Sequence, residues 1–314
     1  MEKLTPTSLK KEYVNAVWAV DPSEKGLCPE SNALMDVKQI LGGSFEQVHP
    51  IYICNHDNIS LDDARKQIQT FLDPLNLGPT FPAEVYRSPA KKRKDRVERI
   101  LNLAHSQKSQ VILLTSHGRS AVGAFFLGSF ARELLQRSEV PVLFLCPHKQ
   151  KVEKSKKVLF TTDFSEASQK AFANFLKLVR DKVSEVIVCH VVSFPTQNIG
   201  FSQADGSVFP TPDHFYAEQK EWAEREMEHL LAEAKKMEVN PRFQSIVEES
   251  MTSAASAIRH IAERENVGLI GLVAHVGTTE GVVFGGVVQD LLASPKFNLW
   301  VCGPHFADKE PRKN

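Results

Sequence analysis

The apolar residues of this chain fall in short runs separated by longer amphipathic stretches, and the alternation holds from Val14 to Cys302. Val14–Val20 reads as a first strand, ended by Asp21-Pro22. Ser31–Leu41 has helical apolar spacing and stops at Gly42-Gly43, a strong C-terminal signal. Val48–Cys54 follows as a second strand, in which Pro50 removes one ladder donor. Asp62–Leu75 reads as helix, Ala83–Tyr86 as strand and Ala90–Ser106 as helix. Val111–Leu114 is the fourth strand, and Pro141–Leu145 the fifth, after a helix that begins beyond Gly128. Continuous Val/Ile/Leu runs of this kind belong to parallel strands buried on both faces. Strands and helices in turn predict a doubly wound sheet with right-handed crossovers.

The pattern then restarts. Lys149–Lys157 is charged and nearly free of apolar residues, a natural linker. Beyond it come Lys157–Ser165 as strand, turn and helix start, helix Ala167–Val179, strand Val186–Val192 and a long helix, Phe215–Met237. Strand Arg242–Val247, helix Ser253–Glu265 and strands Val267–Val273 and Leu299–Cys302 complete the series. His117 and His275 differ by 158, Gly128 and Gly285 by 157, Cys146 and Cys302 by 156, but Asp21 and Asp163 by only 142. This is an internal repeat. The second copy carries an insertion of about fifteen residues, placed at the polar, Gly- and Pro-containing excursion Ser193–Asp213 as a surface loop. Two tandem α/β domains are expected, 1–149 and 150–314. Each would hold a five-stranded, mainly parallel sheet with helices on both faces, and a pseudo-twofold would relate them.

Composition narrows the classes. At 314 residues the chain has room for two cores, and 42% hydrophobic with 24% charged residues is ordinary for a globular protein. A formal net charge of zero gives no pull toward nucleic acid or acidic membrane. Five scattered cysteines form neither a metal pair nor a disulfide framework, so a cytoplasmic setting with reduced thiols is expected. Met1–Lys11 lacks the apolar core of a signal peptide, and no apolar run reaches a membrane span. The run Lys91-Lys92-Arg93-Lys94 has no interleaved aromatics and reads as a solvated helix face. Trp222 sits on an amphipathic surface helix, and Cys146 and Cys302 read as small buried hydrophobes.

The chemistry-bearing stretch is Thr115-Ser116-His117-Gly118-Arg119-Ser120, followed by Gly128-Ser129-Phe130. It joins a buried strand to a helix. That places it at the carboxyl edge of the sheet, where anionic ligands meet the free N–H groups of a helix start. Gly118 and Gly128 allow close backbone approach to a phosphate, Ser129 caps or donates, and Arg119 is a charge-assisted donor. In the second copy the loop runs Val273-Ala274-His275-Val276-Gly277 to Gly285-Gly286. Val276 stands where the first copy has Gly118, and Glu280 puts a negative charge where phosphates would lie.

These residues resemble the universal stress protein family, whose fourth strand is followed by glycine, two residues, glycine, nine residues, then glycine with serine or threonine. Here Thr115 stands at the first glycine, Gly118 at the second, and Gly128-Ser129 at the third. Both halves of the chain share the likeness, which implies a tandem stress-response or signalling protein that binds ATP in its N-terminal half. By that resemblance Val20, Asp21 and the backbone near Ile51 meet the base. Thr115, His117, Gly118, Arg119, Gly128, Ser129 and Phe130 then hold ribose and phosphates. Asp163, Val191, His275, Gly285 and Gly286 are the matching positions of a degenerate second site. Family relatives pair through their fifth strands, so Pro141–Leu145 and Asn298–Cys302 are expected to pair within this chain as an intramolecular pseudo-dimer, with a further homodimer open. No nucleophile elbow, P-loop lysine or close His/Glu metal pair is present, so no catalytic residue is assigned. Two other readings stay open. One is an interaction protein whose crevices take a protein partner or small ligand. The other is a weak ATPase with Mg2+ between Asp21 and the phosphates, for which no general base is evident.

Overall fold

The computed structural model describes residues 14–20, 45–54, 60–73, 82–87, 93–115, 129–146, 156–179, 182–193, 212–237, 239, 241–250, 253–275, 285–293 and 296–306. The first half supplies β1 (Val14–Ala19), β2 (Phe45–Cys54), α1 (Leu61–Leu72), β3 (Glu84–Arg87), α2 (Arg93–Ser106), β4 (Val111–Thr115), α3 (Ser129–Arg137) and β5 (Val142–Leu145). The second supplies β6 (Lys157–Thr161), α4 (Glu166–Val179), β7 (Glu185–Ser193), α5 (Pro212–Lys235), β8 (Arg242–Ser250), α6 (Ala254–Arg264), β9 (Leu269–Val273), α7 (Gly286–Ala293) and β10 (Asn298–Cys302). The helix expected over 31–41, linker residues 149–155 and excursion residues 194–211 lie outside the described residues.

Local chemistry explains several boundaries. Ser60 caps α1, its Oγ accepting from the Asp63 N–H at 3.0 Å, and Asp62 and Asp63 add negative charge to the first turn. Ser253 caps α6 in the same way through the Ser256 N–H. Pro50 lies inside β2, opposite Trp18 of β1. The strand tolerates it because Ile51 turns its carbonyl toward β1, where it accepts the Val20 N–H at 3.0 Å. Pro50 therefore turns the other way, and β3 pairs only from Ile51 onward.

All ten strands form one sheet in the order β3-β2-β1-β4-β5-β10-β9-β6-β7-β8. Each half is parallel within itself, and the halves meet where β5 and β10 pair antiparallel. The register there pairs Leu143 with Trp300 and Phe144 with Leu299. Under the 156-residue offset of the two cysteines, Phe144 corresponds to Trp300 and Leu143 to Leu299. Each pair therefore maps onto the other, as a twofold through the junction requires.

Alternation along the strands divides the core between the faces. One face buries Ala64 and Ile68 of α1, Phe172 and Phe175 of α4 and Met227 of α5, with Trp300 and Cys302 of β10. The other buries Ile100 of α2, Leu134 and Leu135 of α3, Ile258 of α6 and Leu291 of α7, with Leu299 and Val301. Both cores run across the junction. There the fully buried Asn298 accepts the Cys146 N–H at Oδ1, 2.9 Å away. A Cβ on Gly303 would lie 2.1 Å from the Leu135 carbonyl oxygen, so only glycine lets the end of β10 reach α3.

Candidate functional site

In each half the strand order reverses once, between β1 and β4 in the first and between β6 and β9 in the second. Chains leaving two such strands diverge to opposite faces and leave a crevice at their carboxyl ends. Because β5 and β10 are antiparallel, the two crevices open at opposite edges of the shared sheet.

Val20 leaves β1 at the first crevice, and its N–H occupies the Ile51 carbonyl. Ile51 itself is buried in the core. Thr115 ends β4 and pairs with Leu145 of β5. Ser129 opens α3 as an exposed residue. Phe130 is half-buried beneath the Arg96 guanidinium, 5.8 Å from its ring centre. The fold thus brings the elements carrying Val20, Ile51, Thr115, Ser129 and Phe130 to one edge. Asp21, His117, Gly118, Arg119 and Gly128 lie outside the described residues.

The repeat places a finer detail. The Thr162 N–H donates to the Cys189 carbonyl at 2.9 Å, the counterpart of Val20 and Ile51. Ile51 therefore matches Cys189, and the strand position matching half-buried Val191 is Ile53, two residues nearer the crevice.

The second crevice is bridged. Asp163 leaves β6, His275 lies just beyond β9, and Oδ2 of the one meets Nε2 of the other at 2.9 Å. Both are about half exposed, with side chains 46% and 53% accessible. Burial pushes the Asp163 carboxyl up. Hydrogen bonds from His275 and Ser165, with the imidazolium charge, overcome that and hold it well below the usual carboxylate range. The bond to Asp163 raises the His275 imidazole, against the lowering effect of its burial. The His275 carbonyl accepts the Gly285 N–H at 2.9 Å, which ties the start of α7 to the same residue. A Cβ on Gly285 would make ordinary contacts, and one on Gly286 would meet nothing within 4 Å.

Asp163 stands on a tightly bonded turn. Its Oδ1 accepts from Ser165 N–H at 3.1 Å and Ser165 Oγ at 2.7 Å. The Phe164 N–H donates to Thr162 Oγ1, and Gln169 donates to the Phe164 carbonyl. Phe164 sits at φ 62°, in the left-handed region that a bulky side chain rarely occupies. Its buried ring lies 4.8 Å from that of His190 and 5.4 Å from that of Trp222, the latter edge-on. Nδ1 of His190 donates to the Thr162 carbonyl at 2.8 Å, and burial lowers its pKa. Sequence reasoning picks out Asp163, Val191, His275, Gly285 and Gly286 but misses this ring cluster. The available signal was the aromatic Phe164 directly after Asp163 in a turn.

A family model described as the universal stress protein family matches residues 82–145 and 154–303, together more than half of the chain. Among solved structures, the chain is similar to a universal stress protein from Archaeoglobus fulgidus. The identity is 18% and the TM-score 0.60, with 92% of this chain and 98% of that one covered. It is also similar to a functionally unknown protein from Pseudomonas aeruginosa at 12% identity and a TM-score of 0.59, covering 95% of each. At those identities the likeness speaks for the fold alone. No curated protein matches the chain. The repeated strand order, the crevice at each reversal and the family match lead to one conclusion: the chain belongs to the universal stress protein family.

Proposed function

We propose that the protein binds an adenine nucleotide, ATP in the first instance, in the crevice between β1 and β4, and serves in stress response or signalling with little or no catalysis. The observation that carries the reading is the first crevice itself, which lies at the strand-order reversal between β1 and β4 and is bordered by Thr115 and the start of α3 at Ser129, the ends of the glycine-bearing loop. A helix start offers free N–H groups to a phosphate. Val20, Asp21 and the β2 end near Ile51 and Ile53 would receive the base. Thr115, His117, Gly118, Arg119, Gly128, Ser129 and Phe130 would hold ribose and phosphates. Mg2+, where present, would accompany the phosphates.

The test is thermal melting with and without Mg-ATP, because a ligand of the folded state alone raises stability by about 2.7 kcal/mol at a hundredfold excess over Kd. The expected result is a higher Tm for wild type and an unchanged Tm for Gly128→Val. Equal shifts for both proteins would move the site away from this loop.

The bridged second crevice favours another role for that half, contact with a protein partner or small ligand instead of a nucleotide. It would hold for the whole chain if adenine nucleotides left wild-type melting unchanged.

A further inference from the structure

We propose that the second crevice contains a proton-sensitive latch, in which the His275–Asp163 bond holds the strained turn at Phe164 and so fixes how Trp222 of α5 packs against it. The inference concerns the second half and stands independently of nucleotide binding in the first.

Three observations carry it. First, Phe164 is a bulky residue at φ 62°, a conformation that persists only where its surroundings over-determine it. Second, those surroundings are visible: Thr162, Ser165 and Gln169 bond the turn locally, and among the described residues the one ionic tie to it comes from His275, just beyond β9. Third, the Phe164 ring is not idle filler. It contacts both His190 and Trp222, and Trp222 is the one exposed large hydrophobic among the described residues, at 39%.

The direction follows from the chemistry. With His275 protonated, a charge-assisted bond joins β6 to β9 and holds Asp163, and with it the turn. As pH rises through the elevated His275 titration, the imidazolium charge is lost and the ion pair becomes a bond from a neutral imidazole N–H to the Asp163 carboxylate, weaker by the lost attraction between opposite charges. The turn then relaxes, Phe164 shifts and Trp222 loosens. Among the described residues, the ionisable groups acting on the pair are its own two members, and Asp163 acts in turn on His190 of β7. The partners bonded to or stacked on these groups from the packed elements are, among the described residues, uncharged: Ser165 before α4, Trp222 of α5, and Gly285 before α7.

The experiment is acrylamide quenching of tryptophan fluorescence across the imidazole range on the full chain. Trp18 and Trp300 are fully buried, so the quenchable emission belongs to Trp222. Wild type is expected to become more quenchable as pH rises, with a midpoint above the ordinary imidazole value. His275→Gln is expected to lose the transition and stay quenchable throughout. A transition that survives in His275→Gln but is lost in His190→Gln would assign the effect to direct contact between His190 and Trp222 and overturn the latch. A flat wild-type profile would overturn it as well. The wild-type titration needs no variant, and resolved imidazole NMR signals in the same samples report which histidine titrates at the midpoint.

Discussion

Nε2 of His275 lies 2.9 Å from Oδ2 of Asp163, across the point where the strand order of the second half reverses. In an open α/β sheet that point is where a ligand is expected, and here two side chains of the chain itself meet. Both members favour their charged forms, Asp163 well below and His275 above its usual range.

The pH dependence has a definite sign. The lowered Asp163 makes a contribution that is present above the ordinary carboxylate value of 3.8 and lost as pH falls through its folded value. The raised His275 makes one that is complete below 6.5 and lost as pH rises through its folded value. The pair therefore stabilises most between those ordinary values, by about 0.2–1 kcal/mol since both groups are half exposed. Urea midpoints of wild type and His275→Gln should differ more near about pH 5.5 than near about pH 8.5, across the imidazole range. Asp163→Asn should also return the His275 titration, followed by NMR, toward its ordinary value.

Gly303→Ala should weaken the junction between the halves. The new Cβ would stand 2.1 Å from a backbone oxygen of Leu135, which no rotamer change relieves. Overpacking of this kind costs about 1–3 kcal/mol or more, read as a lower denaturant midpoint.

Asn298→Ala should destabilise by about 1–3 kcal/mol, because the buried Cys146 N–H loses its acceptor. The loss would show in equilibrium unfolding, and in faster exchange of the Cys146 amide than of amides in the outer strands.

Gly286→Ala should be neutral or stabilising by up to about 1 kcal/mol, since an added Cβ meets nothing within 4 Å and alanine restricts the unfolded chain. A clear loss of stability would mean that the start of α7 is more crowded than its surroundings indicate.

Much of this architecture is legible in the residue pattern, for a physical reason. Parallel strands buried on both faces, such as Val142–Leu145 and Leu269–Val273, must be nearly continuous apolar runs, so both copies of the repeat stand out. Register is less legible. β2 begins at Phe45 despite Pro50, and only the hydrogen bond from Val20 shows that Ile51 is matched by Cys189, leaving Ile53 to match Val191. The helix Gly286–Ala293 is hidden because Gly285 before it and Gly286-Val287-Val288 at its start read as loop or strand. The ring cluster of Phe164, His190 and Trp222 is hidden for another reason: three elements distant in sequence must meet before it exists.

The most direct measurement of the central claim is the nucleotide content of protein purified without added nucleotide, read by mass spectrometry after acid denaturation and repeated after saturation with Mg-ATP and removal of the excess. The account predicts one adenine nucleotide per chain, lost in Gly128→Val and kept in His275→Gln. Two per chain would contradict a single nucleotide site, and none under either condition would contradict nucleotide binding in the first crevice.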